Sequence, residues 1–249
     1  MPALAGSRPP FDGSGPLFAL TDMEREALVL SLQVGAVAVV ASLPFGILMA
    51  WLLARVPFPG RGIVNGLVHL PLVLPPVVVG YLLLVLMGRK GPIGSLLYDW
   101  FAITLIFTWE GAALASAVVA FPLMVRAIRL GLDLVDRRLE TAARTLGASP
   151  KRVFVTVTLP LILPGIITGC VLAFARSIGE FGATITFVSN IPGETQTLPL
   201  ALYSVAQSPG GEDAALRLVI ISCILAFAAL AASEVLARRA QRRLAGASA

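Results

Sequence analysis

Between Ala27 and Ala54 the chain runs for 28 residues without a charged side chain. As a helix rising 1.5 Å per residue, this run is about 42 Å long, more than the roughly 30 Å of a bilayer's hydrocarbon core. It has no polar face to turn toward water, so it commits the chain to a membrane. Similar runs recur along the 249 residues, of which 57% are hydrophobic and 13% charged, a balance outside the range of soluble domains. The runs are of helix length, whereas barrel strands would be about 10 residues of alternating polarity. The fold class expected is therefore an all-α polytopic membrane protein.

Five spans are expected. The first is the run 27–54, with Pro44 and Gly46 marking a kink. The second, about Gly62 to Gly88, contains HLPLVLPPVVVG. There Pro71, Pro75 and Pro76 make a bent or broken helix of the kind that exposes backbone along a cavity, and all three are candidate pathway residues. Arg89 to Trp109 opens with a turn and becomes aromatic, which suits an interfacial or re-entrant piece or an extension of the third span. That span, about Glu110 to Leu130, is rich in small residues from Gly111 to Ser116 and carries Pro122. The fourth begins near Pro160 and carries the packing pair Gly165 and Gly169; the fifth runs from about Ala214 to Leu236. A polar leader (1–26) and a basic tail (241–249) flank this 27–240 membrane domain, and the leader lacks the order of a cleavable signal.

Few side chains in the spans invite chemistry. Arg176 and Glu180 lie four residues apart and therefore on one helical face, and Gly179 and Gly182 flank Glu180, so that the backbone there can be approached or unwound. Arg176, Glu180 and Gly182 are therefore pathway or gate candidates, with a packing salt bridge as an equal alternative. His69, the only histidine, reads as a packing or interfacial residue rather than a proton relay. Cys170 and Cys223 sit far apart in apolar runs, which suggests buried packing and neither a disulfide nor a metal site. No GxxxxGK[ST] phosphate loop, HExxH or paired intramembrane aspartates occur, so no catalytic residue is assigned, and any ATP-driven step belongs to another polypeptide.

The one strongly polar interruption is Asp136 to Pro160, DRRLETAARTLGASPKRVFVTVTLP. Asp136 is an N-cap, Gly147 a helix stop, and Ser149 followed by Pro150 a second N-cap and first turn. Two short helices are expected, with small Ala142 and Ala143 offering a shallow surface ringed by arginines and lysine. Composition alone also fits an ordinary basic cytoplasmic loop.

This stretch resembles the EAA loop of ABC-importer permeases. Ala142, Ala143 and Gly147 stand in the pattern's places and Val157-Thr158-Leu159-Pro160 matches its end. The strict glutamate place holds Thr141, and the acid, Glu140, comes one residue earlier. The resemblance implies that Glu140, Thr141, Ala142, Ala143, Gly147, Ser149 and Pro150 belong to a coupling helix seated in a separate ATPase subunit. A second run, Arg176 to Tyr203, is similar to molybdate permease subunits, with sulfate and thiosulfate permeases as nearest relatives. The family resemblance implies a type I importer fold, a homodimer, two cytoplasmic ATPase subunits that use ATP and Mg2+, and an extracytoplasmic molybdate-binding protein. Sulfate, thiosulfate or tungstate are alternative cargoes, and an ion-coupled secondary carrier is the alternative mechanism.

Charge distribution orients the chain. With the N-terminus outside, thirteen of the 19 Lys and Arg residues fall in cytoplasmic segments, five fall on the other side, and Arg176 remains in the membrane. The positive-inside rule thus favours N-out and C-in, with Asp136 to Pro160 in the cytoplasm of a bacterial cell. The basic residues follow membrane topology and give no sign of nucleic-acid binding.

Overall fold

The computed structural model describes residues 20–246, with side chains described through Leu236 apart from 233. Residues 1–19 of the leader and 247–249 of the tail lie outside the described residues. All regular structure among the described residues is helical.

Helix α1 spans Asp22–Arg55, starting ahead of the uncharged run because Thr21 and Glu24 form a capping box. The Thr21 hydroxyl accepts from the Glu24 N–H at 3.3 Å, and the Glu24 carboxylate accepts from the Thr21 N–H at 2.8 Å. The helix ends at Val56, held extended ahead of Pro57. The second expected span is broken: α2 (Arg61–Val73) and α3 (Pro76–Met87) bend by 114° at the Pro75-Pro76 pair. Pro75 takes φ −54° and ψ 133°, which no helix can continue, and Pro76 opens the next first turn. The aromatic segment forms a short separate helix, α4 (Pro92–Phe101), and does not extend the third span. That span, α5 (Trp109–Leu134), starts afresh where the Thr108 hydroxyl accepts from the Gly111 N–H.

After the polar insert come α6 (Arg137–Thr145), α7 (Pro150–Val153), a π-helical turn at Phe154–Thr158, and α8 (Leu159–Ile178). A short α9 (Gly182–Val188), α10 (Leu198–Ala206) and a long α11 (Glu212–Gly246) complete the chain. The fifth span thus continues as helix into the basic tail instead of stopping near Leu236.

Helices α1, α5 and α8 form the heart of the fold, with Leu53, Met124, Ile128, Leu132 and Ile162 fully buried between them. The expected glycine pair makes this possible. A Cβ on Gly165 would lie 3.1 Å from the Ala127 carbonyl and 3.2 Å from Gly131 Cα, and one on Gly169 would lie 3.1 Å from the Met124 carbonyl. Backbones therefore pack directly, where dispersion contacts act without help from water. Outward-facing side chains such as Val40 (70% exposed) and Phe45 (66%) are apolar, as a lipid-facing surface requires.

Contacts at the helix ends fix the relative sidedness. Arg55, ending α1, donates to the carbonyls of Leu132 and Val135 at the end of α5, so the two helices run parallel. Glu24 near the start of α1 meets Arg217 near the start of α11, so these are parallel too. Gly35 of α1 faces Phe174 and Ile178 at the end of α8, which therefore runs the other way. Val64 and Val68 of α2 pack on the cluster containing Leu53 and Leu132, whereas Val79 and Leu83 of α3 pack with Val34, Ala112 and Val119. The bent pair thus crosses once. With α1, α5, the continuous Pro150–Ile178 helix and α11, five passes result. The described ends lie on opposite sides.

Candidate functional site

The polar insert folds as its residues dictate. Asp136 Oδ1 accepts from the Arg138 N–H at 2.9 Å and starts α6; Gly147, at φ +86°, stops it. No atom lies within 4 Å of a Cβ built on Gly147, so backbone conformation alone demands glycine there. Ser149 Oγ then accepts from the Arg152 N–H, with Pro150 in the first turn of α7.

Glu140 anchors this hairpin. Its Oε1 accepts from the Thr158 hydroxyl at 2.9 Å and lies 3.3 Å from Arg55 Nη2. The same Arg55 nitrogen reaches the carbonyls of Leu132 and Val135, at 3.1 and 3.4 Å. One carboxylate thereby joins α6 to the ends of α1 and α5 and to the π turn that leads into α8. At about 100° per residue, Leu139, Ala142 and Leu146 fall on the flank away from Glu140, whereas Ala143, three residues on, lies nearer its side and is half-buried. Leu139 is 50% and Leu146 89% exposed, and α6 buries no residue of its own. Thr141, in the pattern's acid place, is exposed and donates only to the Arg137 carbonyl of its own helix. Helix α6 thus has an anchored inner face and an uncovered apolar outer face.

On the opposite side of the molecule two helix breaks meet. The expectation that Arg176 and Glu180 share one helical face is corrected, because α8 ends at Ile178 and the pair spans the break. Arg176 Nη1 lies 2.7 Å from Glu180 Oε2, while Glu180 Oε1 accepts from the Ala183 N–H at 2.7 Å and so caps α9. Glu180 is buried; Arg176 keeps 30% of its side chain exposed. A Cβ on Gly182 would lie 2.9 Å from Pro76 Cβ, and one on Gly80 only 2.6 Å from the Ala183 carbonyl. The start of α3, set by Pro75 and Pro76, therefore packs on the break that holds Glu180 and Gly182, so five of the six pathway candidates gather here. Pro71 lies earlier, within α2.

Other side chains play local parts. His69 Nδ1 lies 2.8 Å from the Asn65 carbonyl of its own helix, and the Asn65 side chain accepts from Arg129, which is a packing role. Cys170 is half-buried, but Cys223 is exposed, against the expectation of burial. An apolar run in a membrane helix is compatible with facing lipid as well as protein. Sequence reasoning missed two ion pairs between residues remote in the chain, Arg55 with Glu140 and the buried Arg217 with Glu24 at 3.0 Å. By sequence, Arg55 counts only among the thirteen cytoplasmic basic residues and Arg217 only among the five on the other side.

Five helical passes, a polar hairpin on one side and a broken-helix junction toward the other define a membrane subunit built like a transporter's. The chain belongs to the family described as "Binding-protein-dependent transport system inner membrane component", whose model matches residues 42–244. It is 66% identical over 224 residues to the molybdenum transport system permease protein ModB of Escherichia coli (strain K12), covering 90% of this chain and 98% of that protein. With the same-named protein of Haemophilus influenzae it shares 60% identity over 222 residues, 89% of this chain and 97% of that one. In fold it is similar to a chain of the bacterial alginate ABC transporter solved in complex with an alginate pentasaccharide-bound periplasmic protein. That match has a TM-score of 0.69 at 17% identity and covers 88% of this chain and 80% of that one. The expected class is thus established as the permease of a binding-protein-dependent transport system, multi-pass in a bacterial inner membrane.

Proposed function

We propose that this chain forms the membrane pathway of an ATP-driven molybdate importer and is itself non-catalytic. Two copies form the pathway, each engaging one cytoplasmic ATPase subunit through residues 136–160, and the partner ATPase uses the ATP and Mg2+. The observation that carries this reading is the two-faced α6, whose Glu140 grips three parts of the membrane domain while Leu139 and Leu146 stand uncovered on the outer flank. Ala142 and Ala143 let the ATPase surface approach closely, and Gly147, Ser149 and Pro150 set the hairpin's shape. The hairpin side is cytoplasmic by the positive-inside rule, which leaves the N-terminus outside.

Closure of the ATPase dimer moves α6, and the Arg55–Glu140–Thr158 cluster passes that motion to α1, α5 and α8. Where the α2–α3 and α8–α9 breaks meet, the pathway opens outward to accept anion from the binding protein. A divalent oxyanion requires donors along its route rather than free carboxylates. Glu180 meets this condition because its carboxylate is engaged by Arg176 and by the Ala183 N–H, so it serves as a gate-stabilising group. Similarity to proteins named for molybdenum transport supports molybdate as the cargo. The test is ATP hydrolysis by the assembled transporter in lipid, with binding protein loaded with molybdate or with sulfate. Selective stimulation by the molybdate-loaded form is expected; equal stimulation removes the cargo assignment, and no assembly with an ATPase removes the importer reading.

A further inference from the structure

Where α1 passes the hairpin, a groove of about 690 Å³ opens between membrane and cytoplasmic elements. Leu48 and Trp51 of α1, Phe154 and Val155 of the π turn, and Arg144 and Lys151 of the two hairpin helices all line it. The walls continue the bilayer-facing surface, for Leu48 is 60% and Val155 59% exposed. Trp51 marks headgroup depth, where indole rings concentrate. Glu140 also borders the groove, but Arg55 and Thr158 already engage its carboxylate. Arg144 and Lys151 make no salt bridge among the described residues, so the lining carries two uncompensated positive charges.

An apolar trough running from the hydrocarbon and carrying two cations is complementary to one kind of molecule. We infer that an anionic phospholipid occupies this groove, its phosphate between Arg144 and Lys151 and its proximal acyl chain along Leu48 and Val155. Arg144 lies one turn after Glu140, on the inner side of α6, so the lipid and a protein docked on the Leu139–Leu146 flank do not compete. The lipid bridges α1 to both hairpin helices and makes the hairpin's seating depend on the charge of the inner leaflet. This inference rests on the proposed cytoplasmic placement of the hairpin and is independent of the cargo.

The full-length chain has three tryptophans, so Trp100→Phe with Trp109→Phe leaves Trp51 as the sole reporter. In nanodiscs, brominated phosphatidylglycerol should quench Trp51 at roughly 25-fold lower mole fraction than brominated phosphatidylcholine, given roughly fivefold selectivity for each of the two cations. Arg144→Gln with Lys151→Gln should merge the two curves, whereas Lys90→Gln with Arg138→Gln, the same charge removed elsewhere, should leave them apart. Native mass spectrometry of the unsubstituted chain should show phosphatidylglycerol retained over phosphatidylcholine. Equal quenching by both lipids, an unchanged preference after Arg144→Gln with Lys151→Gln, or no quenching by either lipid overturns the inference; the last result means that protein covers the groove.

Discussion

Arg55, the last residue of the first membrane helix, holds Glu140 of the hairpin at 3.3 Å while its guanidinium also caps the carbonyl end of α5. Both side chains are largely withdrawn from water, at 11% and 17% exposure, so the pair is screened little by salt. Among the described residues it is the one side-chain link that ties α6 to two membrane helices and, through Thr158, to the entrance of α8 at once.

Glu140→Ala should therefore cost stability, by about 1.5–3 kcal/mol for lost charge-assisted hydrogen bonds, and should lower uptake more than it lowers ATP hydrolysis. Arg55→Ala combined with Glu140→Ala should be less damaging than the sum of the singles, since each removes the same contact. Thermal unfolding and proteoliposome uptake of the three variants check this.

At the helix break, Arg176→Ala leaves the buried Glu180 carboxylate with only the Ala183 N–H. A loss of about 3–5 kcal/mol is expected for an uncompensated buried charge. Glu180→Gln keeps an oxygen for that N–H and should cost less than Arg176→Ala. Denaturation midpoints in a common detergent rank the two, and the reverse order contradicts the capping role given to Glu180.

Glu24 is completely buried, with Arg217 Nε on one oxygen and the Thr21 N–H on the other. Arg217→Met alone should destabilise by about 3–5 kcal/mol, and adding Glu24→Leu should recover most of that loss, because an apolar pair replaces the ionic one. Thermal melts of both forms decide it.

Gly80 faces the α9 backbone so closely that Gly80→Val must push Ala183 and Thr186 aside. A cost of about 1–3 kcal/mol is expected for such overpacking, accompanied by loss of uptake, because the α3–α9 junction is the proposed gate. Uptake at the parent level by a stable Gly80→Val protein would argue against placing the gate there.

Local features of this fold were legible in the sequence because their causes are local. Asp136, Gly147, Ser149 and Pro150 each set a helix boundary through their own backbone or side-chain chemistry, and Pro75-Pro76 broke α2 from α3 as their geometry requires. Gly165 and Gly169 announced a close helix contact without naming α5 as its partner. The Arg55–Glu140 and Arg217–Glu24 pairs were not legible, since each joins residues remote in the chain and a lone arginine at a span's end already has a reason to exist in topology. Arg176 and Glu180 were read as helical neighbours because nothing in their spacing reveals that Gly179 ends the helix between them. Exposure of Cys223 escaped for a related reason: apolar sequence does not tell lipid from protein as the neighbour.

The central claim is that residues 136–160 transmit the ATPase's work to the pathway, and Gly147→Trp tests it most directly. The left-handed backbone resists any side chain there, and the space around it within this chain is open, so the indole would project toward the partner without disturbing the membrane core. The measurement is molybdate uptake by proteoliposomes carrying the permease, its ATPase and loaded binding protein, with membrane insertion verified in parallel. The account predicts normal insertion and uptake reduced to background. Uptake at the parent rate by a stably inserted Gly147→Trp protein would contradict it.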